Sequence, residues 1–251
     1  MSCCGNESVN TADPHAQASR PKKQVLSSEV DFTQKEIKEA EYDPSLLTEI
    51  DGSFFKFNDL QKKNIKDNVK HSVPLLTVEP GNKNRVAIDD TANYRFFGQV
   101  NGSGKIDGKA QFQDNQTKNF YLGAFRNDQM EGEGAEYLAN GDVFFGTYLN
   151  DSKKNGDLYY YNGNVYKGDF NSQDQPHGYG TYTFSDGRSY QGQFVKGLRE
   201  GQGVYKWPNG TVYDGEFKAG KQHGIAKFTQ PNGGPTKKFR FVNGEATEEL
   251  K

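Results

Sequence analysis

The amino-acid sequence predicts an all-β repeat fold, an elongated twisted sheet of stacked β-hairpins, preceded by a short α-helical N-terminal extension. The pattern Tyr-x-Gly-x-Phe that begins at Tyr190 begins again at Tyr213, and this period of 23 residues is typical of repeat architectures. The residue types that such a fold needs are also unevenly distributed. Of the 33 aromatic residues 28 follow Asn93, and so do 26 of the 29 glycines.

Composition divides the chain into three predicted segments. Residues 1–30 are predicted to be a disordered tail, residues 31–93 a helical or irregular extension, and residues 94–251 the repeat domain. A mean hydropathy of -0.93 excludes a large aliphatic core, and a net charge of -2 disfavours a nucleic-acid or anionic membrane surface. With only two cysteines, adjacent in sequence, a disulfide framework is excluded and an intracellular protein is predicted.

Two helix signals lie in the extension. Thr33-x-x-Glu36 matches a capping box, and the helix that it starts is predicted to end before Pro44. The second signal begins at Asn58-x-x-Gln61 and leads to apolar residues at roughly helical spacing. The residues predicted to dock on a partner here are Phe54, Phe55, Phe57, Leu60 and Ile65.

This second segment has two interpretations. It either docks on a partner or a membrane, or packs on the first repeat as a cap, because the end of a repeat array must hide its exposed edge. The stretch that follows is predicted to be irregular, apart from a short strand-like stretch at Arg85–Ile88.

The repeat domain contains about six units and a partial one, each read as a hairpin. Alternate residues of a strand share a face, so Tyr190 and Phe194 are predicted to flank Gly192 on one face of the sheet. Because glycine has no Cβ, it leaves a slot that an aromatic residue from the second strand of the unit is expected to fill. The candidates for that role are Tyr182, Phe184, Tyr205, Trp207 and Phe228. The positions that define the repeat are Tyr121, Gly123, Phe125, Tyr166, Gly168, Phe170, Tyr190, Gly192, Phe194, Tyr213, Gly215 and Phe217.

Turns are predicted from glycine-containing dipeptides. Lys196-Gly197 is expected to turn within a hairpin, and Asn140-Gly141, Asp186-Gly187 and Asn209-Gly210 to connect one hairpin to the next. A single hairpin is marginal in water, so stability must come from stacking neighbouring units.

This pattern closely resembles the MORN repeat (membrane occupation and recognition nexus). Residues Tyr190–Gly203 meet the family's Tyr-x-Gly-x-Phe-x-x-Gly-x-x-x-Gly-x-Gly in full, and the copy from Tyr213 departs from it at Ala226. The resemblance covers about residues 96–246. It implies a non-catalytic scaffold or adaptor that holds protein partners at a cytoskeletal structure, such as a cilium or axoneme, or at a membrane. The alternative that it implies is a phospholipid-binding module.

No catalytic, cofactor or metal site is predicted, and the chain is not expected to be an enzyme. The Gly-x-Gly triplets, such as Gly132–Gly134, lack the strand–loop–helix context of a phosphate site and indicate turns. His177 and His223 are about two units apart, and no further metal ligands are evident near either.

The remaining predictions concern partners. Cys3 and Cys4 are either S-acylated, since two lipid chains anchor a protein stably, or are idle thiols. Other proteins are expected as partners and nucleic acid is not. A homodimer is predicted through an open strand edge near Phe239–Val242. Specificity is expected where copies deviate, at Lys153–Gly156, at Ser172–His177 and in the tail from Cys3.

Overall fold

A computed structural model of the chain describes residues 85–251, with side chains from residue 91 onward. The predicted tail and both predicted helices lie outside the described residues. The described part falls into two compact units, a first unit ending at Tyr161 and a second unit beginning at Asn162. The predicted limits of the tail, the extension and the repeat domain stay predictions.

The first unit is an antiparallel sheet in which each strand pairs with the next along the chain. The sheet begins with β1, which contains the strand-like stretch Arg85–Ile88. The strands are β1 (Arg85–Asp90), β2 (Tyr94–Val100), β3 (Ile106–Asp114), β4 (Phe120–Arg126), β5 (Gln129–Tyr137), β6 (Val143–Leu149) and β7 (Ser152–Tyr159).

The second unit repeats this arrangement. Its strands are β8 (Val165–Phe170), β9 (Pro176–Thr183), β10 (Ser189–Val195), β11 (Leu198–Lys206), β12 (Val212–Lys218), β13 (Lys221–Thr229), β14 (Thr236–Val242) and β15 (Glu245–Leu250). Stacked β-hairpins are therefore confirmed in both units. Residues 85–251 contain a 3-10 turn at Pro231–Gly233 but no α-helix, and the elongated shape of the array stays a prediction.

The predicted open edge near Phe239–Val242 is wrong. This stretch belongs to β14, which pairs with β13 on one side and with β15 on the other. The sequence pattern missed β15 because five of its six residues are exposed, so its side chains show no alternation between apolar and polar. Within the second unit the edge strand is β15, which carries Glu245, Glu248 and Glu249.

The hairpin turns have the predicted geometry. Lys196 and Gly197 have φ values of 50° and 80°, and two consecutive residues of positive φ are the mark of the type I′ turn that suits a twisted hairpin. Four other hairpins turn the same way, at Asn127–Asp128, Asn150–Asp151, Ala219–Gly220 and Asn243–Gly244. The turns between hairpins are closed by bonds from the amides of Gly141, Gly187 and Gly210 to the carbonyls of Leu138, Phe184 and Trp207.

The glycine slot is filled differently from the expectation. Gly192 pairs with Gly203 of the next strand, and the ring of Tyr190 lies over both glycines. The Tyr190 hydroxyl then donates to the carbonyl of Gln193 at 2.9 Å. The prediction that an aromatic residue of the second strand fills the slot is therefore wrong, because the first tyrosine of the unit folds back over its own glycine.

Within each of the two units, the aromatic residues of successive repeats form a row of contacting rings on this face of the sheet, which is called the inner face below. In the second unit each repeat tyrosine meets edge-on the phenylalanine of its own repeat and that of the next repeat. In the first unit Tyr121 meets Phe125 and Tyr148 in the same way. The ring of Tyr190 lies 5.1 Å from that of Phe194 and 4.9 Å from that of Phe217. Tyr213 lies 5.1 Å from Phe217 and 5.0 Å from Phe241. Such pairs add about 0.5–1.5 kcal/mol each beyond the burial of the rings, so each repeat is stabilised by the repeat next to it.

Candidate interaction surfaces

The aromatic residues that define the repeat are buried and form the core. They are at most 6% exposed, and the hydroxyls of four tyrosines are satisfied by carbonyls three residues further on. The buried aromatic positions are Tyr121, Phe125, Tyr166, Phe170, Tyr190, Phe194, Tyr213 and Phe217. Whether these positions have any role in binding is not tested, but their side chains have no free surface to offer.

The other predicted site residues cannot be placed. The candidate lipidation residues Cys3 and Cys4 lie outside the described residues. The same holds for the predicted docking residues, which are Phe54, Phe55, Phe57, Leu60 and Ile65. Both sets stay predictions.

The deviating stretch at Lys153–Gly156 contains a buried ion pair. Lys153 Nζ donates to Glu136 Oε2 at 3.0 Å, and both side chains are at most 3% exposed. In this copy the usual order of rings is exchanged: Phe144 lies against Gly146, where other copies have a tyrosine. The hydroxyl of Tyr148 consequently donates to the same Glu136 oxygen at 3.0 Å. The deviation is thus accommodated inside the core.

A second buried cation occupies the equivalent position in the second unit. Arg199 pairs with Phe194 as Lys153 pairs with Tyr148, and its Nη2 donates to the carbonyl of Gly220 at 2.7 Å. Burial lowers the pKa of its guanidinium from the ordinary value. These cations are held by the fold and are not available to an outside anion.

His177 and the glycines considered for ligand chemistry are used by the sheet. His177 Nδ1 accepts a long bond of 3.5 Å from the amide of Lys196. Within residues 85–251 there is no group of three or more His, Cys, Asp or Glu that could hold a metal ion. The Gly-x-Gly triplets lie inside β5, β9 and β11, as strand residues. No helix in this part of the chain is long and apolar enough to cross a membrane.

A continuous strip of aromatic side chains crosses the second unit, and it is called the aromatic strip. Phe184 and Trp207 follow the second-strand tyrosines of their units by two residues. The ring of Tyr205 lies 4.5 Å from that of Trp207 and 6.0 Å from that of Phe184. Trp207 lies 6.2 Å from Phe228, which in turn lies 6.0 Å from Phe239. The strip comprises Tyr182, Phe184, Tyr205, Trp207, Phe228 and Phe239.

The aromatic strip differs from the core in being partly open to solvent. Phe184, Trp207, Phe228 and Phe239 are half-buried, whereas the repeat tyrosines are fully buried. The Arg188 guanidinium lies 4.8 Å from the ring of Phe184, so a cation borders the strip. The Arg188 Nε also donates to Asp186 Oδ2 at 2.7 Å, so this border of the strip carries an ion pair and the strip itself suits apolar side chains. The sequence had identified most of these residues, but as slot fillers and not as a surface.

Exposed apolar residues also occur on the opposite face of the second unit, the outer face. Tyr179 is 58% exposed and Ile225 54%, but no contact between their rings or chains joins them into a strip. Scattered exposed apolar residues are ordinary on a protein surface. The aromatic strip is therefore the stronger candidate for binding.

Comparison with known proteins identifies the repeat. The MORN repeat model matches residues 121–143, 166–187, 190–212 and 213–234. The stretch without a match, between the first and second of these, is the copy in which Phe144 and Tyr148 are exchanged. The chain has no significant match among the curated proteins.

Solved structures with some likeness to this chain include domains from Drosophila melanogaster and Danio rerio. The TCP domain of Drosophila melanogaster SAS-4 (dCPAP), in complex with a proline-rich motif of Ana2 (dSTIL), is 13% identical with a TM-score of 0.39, and the match covers 62% of this chain and 84% of that one. The TCP10 domain of Danio rerio CPAP, in complex with a STIL peptide, is 11% identical with a TM-score of 0.31, covering 70% and 97%. At TM-scores this low, neither likeness carries an argument about function.

Four family matches coincide with strands in which the structure stacks tyrosine, glycine and phenylalanine in the same order. The chain is a MORN-repeat protein.

Proposed function

We propose that this chain is a non-catalytic scaffold that binds other proteins through the aromatic strip of its second unit. The observation that carries the proposal is that Phe184, Trp207 and Phe228 are half-buried and are joined in one row through the buried ring of Tyr205, whereas the aromatic residues that define the repeat are packed in the core. Aromatic side chains are enriched at the centres of protein interfaces because they bury a large area with few rotamers to lose.

The spacing of the strip suits an amphipathic helix. Phe184 and Trp207 directly follow β9 and β11, Phe228 lies in β13, and the contacts that join one hairpin to the next have ring centroids 6.0–6.2 Å apart. A helix rises about 6 Å over four residues, so apolar residues at positions i and i+4 would meet neighbouring rings of the strip. The partner segment is therefore an amphipathic helix with apolar residues on one face.

The cellular setting is proposed from the family resemblance. MORN proteins resemble one another in serving at cytoskeletal, ciliary and junctional structures, and this chain is assigned to a cytoskeletal or membrane-associated structure, with a cilium or axoneme among the possibilities. Fluorescence localisation of the full chain beside cytoskeletal, axonemal and membrane markers tests this assignment. A uniformly dispersed protein would contradict it.

Quantitative affinity capture tests the scaffold function. The full chain is compared with a Phe184→Ser/Trp207→Ser/Phe228→Ser variant and with a matched Tyr179→Ser/Ile225→Ser control on the outer face. Proteins retained by the full chain and the control, but lost from the strip variant, are the expected outcome. Equal retention by all three would refute the role of the strip, and retention of no protein would refute the scaffold.

The membrane alternative is tested at the N-terminus. If Cys3 and Cys4 are acylated, membrane association is lost in a Cys3→Ser/Cys4→Ser variant because both lipid chains are removed. Unchanged membrane association in this variant would exclude acylation as the anchor. A homodimer stays a prediction, and a monomeric mass by light scattering would exclude it.

A further inference from the structure

The sheet of the first unit is buried on both faces. Its inner face carries the repeat core, with Tyr121 2% exposed. On its outer face, Phe120 and Tyr137 are 0% exposed and lie opposite each other in β4 and β5, with ring centroids 5.7 Å apart. Leu122, one residue from Tyr121 and therefore also on the outer face, is 2% exposed.

The residues of this outer face form two rows across the strands. One row runs through Gln113, Phe120, Tyr137 and Val143, and the other through Gln111, Leu122, Ala135 and Phe145. All of them except Phe145, which is half-buried, are fully buried. The centre of this face is therefore uncharged, and apart from Gln111 and Gln113 it is formed by apolar and aromatic residues.

The same rows in the second unit are more polar and more open, although they include the half-buried Val204 and Val212. Gln191 occupies the position of Leu122, Asp214 and Lys227 continue that row, and all three are exposed. The neighbouring row runs through Ser189, Lys206, Val212 and Thr229. The outer faces of the two units thus differ in residue type as well as in burial.

No strand of residues 85–161 lies over this outer face, because each packs beside its neighbours in one sheet. A single sheet layer cannot exclude water from both of its faces by itself. The cover must come from elsewhere, and 84 residues precede β1.

We propose that the segment Phe54–Val69 of the same chain covers the outer face of the first unit. This segment contains Phe54, Phe55 and Phe57, followed by apolar residues at helical spacing. From Val69 to Arg85 there are 16 steps of chain, with a reach of up to about 55 Å. The apolar rows lie within about 24 Å of β1, at five strand spacings, so the segment reaches them easily.

This inference assigns the segment an internal role. The segment Phe54–Val69 packs on a face of the sheet, and not on the terminal strand edge or on a partner protein. It does not depend on the aromatic strip, which belongs to the second unit.

Thiol labelling of the full chain tests the proposal. In a Cys3→Ser/Cys4→Ser background, the reporter is Leu122→Cys. The matched exposed control is Gln191→Cys, at the equivalent outer position of the second unit, and the buried control is Met130→Cys, on the inner face of the first unit. The labelling rate of each cysteine variant is measured with and without the triple replacement Phe54→Ser/Phe55→Ser/Phe57→Ser.

The expected result is slow labelling of Leu122→Cys that becomes about tenfold faster, or more, when the three phenylalanines are replaced. Met130→Cys stays slow and Gln191→Cys stays fast in both. Labelling of Leu122→Cys as fast as Gln191→Cys from the start would overturn the proposal, as would a rate that the triple replacement leaves unchanged. Protection that disappears on dilution would overturn it in favour of a second copy of the chain.

A cross-linking measurement covers the case in which the triple variant unfolds and Met130→Cys also becomes fast. The photoreactive analogue benzoylphenylalanine is placed at Phe57 in the otherwise unaltered full chain. Cross-links within one chain to peptides from Phe120–Tyr137 are expected. Cross-links to the second unit, to another copy or to no peptide would overturn the proposal.

Discussion

At the scale of single residues, the fold depends on a tyrosine lying flat over two paired glycines. A Cβ added to Gly192 would lie 2.5 Å from the Tyr190 hydroxyl oxygen and 2.7 Å from the carbonyl oxygen of Gln202. The ring could move, but the backbone of the neighbouring strand cannot. Glycine is thus required here for space and not for a special φ.

Gly192→Ala is expected to lower the free energy of unfolding by about 1–3 kcal/mol, because the added methyl overpacks the core. Gly102 is the control, since a Cβ there meets nothing within 4 Å. Gly102→Ala should change stability by less than about 0.5 kcal/mol. Urea denaturation followed by circular dichroism measures both, and equal effects would contradict the account.

The buried ion pair gives a second prediction at this scale. Lys153→Met leaves Glu136 buried without its cation, and we expect a loss of about 3–5 kcal/mol. Replacing the whole network, as Lys153→Met/Glu136→Leu/Tyr148→Phe, should recover most of that loss because no buried polar group is left without a partner.

The matched control for this prediction is the Arg126–Glu131 pair of the same unit, in which Arg126 is 69% exposed. Arg126→Met is expected to cost less than about 1 kcal/mol, because surface ion pairs contribute little. A triple variant less stable than Lys153→Met alone would show that the network contributes net stability.

At the scale of elements, the hairpins depend on their type I′ turns. Ala219 has a φ of 49° and precedes Gly220, whereas three of the other four turns have asparagine in this position. Alanine is strained in the left-handed region, and asparagine tolerates it better.

Ala219→Asn is therefore expected to raise the free energy of unfolding by about 0.5–1 kcal/mol. The control is Ala92→Asn, at an exposed alanine without positive φ, which should change stability by less than about 0.5 kcal/mol. Thermal denaturation measures both variants. Destabilisation by Ala219→Asn would contradict the turn assignment.

The strands and turns could be predicted from the sequence because the same residue pattern recurs in several repeats. Alternation placed Tyr190 and Phe194 on one face, and Asn209-Gly210 marked a turn, both of which the structure confirms. These features depend on neighbours within a few residues. Repetition at a period of 23 residues then separated pattern from chance.

What could not be predicted depends on register and on ring direction. Spacing places Tyr190 on a face but does not say that its ring folds back over Gly192. The pairing of Glu136 with Lys153 joins β5 to β7 and needs the register of two strand pairs. The apolar residues of the outer face at Leu122 could have been found in the sequence, but only by comparing the outer-face positions of the first unit's repeats with the equivalent positions of the second unit.

At the scale of the whole molecule, the buried tyrosine hydroxyls make the folded state less stable at alkaline pH. Burial raises the pKa of Tyr121, Tyr137 and Tyr166 above the ordinary value of about 10. The unfolded chain therefore loses these protons first as the pH rises. The contribution to stability is fully present below about pH 10 and is lost above it, by about 1.4 kcal/mol per pH unit for each tyrosine.

A pH titration that follows tyrosinate absorbance and circular dichroism together measures this effect. Late ionisation of the buried tyrosines, coincident with loss of the sheet, is expected. If every tyrosine ionised near pH 10 with the sheet intact, the phenols would not be buried as described.

The division of roles between the units follows from these scales. The repeat residues stabilise the sheet in both units, and the outer face of the first unit is covered. The aromatic strip of the second unit is the surface that we propose for a partner. The chain contains a single tryptophan, Trp207, and it lies in this strip.

Trp207 therefore provides the most direct measurement of the central claim. A protein retained by affinity capture is titrated into the full chain, and the tryptophan emission and its quenching by acrylamide are recorded with a tryptophan-free partner fragment. Binding through the strip predicts a blue shift of the emission and reduced quenching, both saturating with the binding isotherm. Saturable binding that leaves the emission and quenching of Trp207 unchanged would contradict the claim.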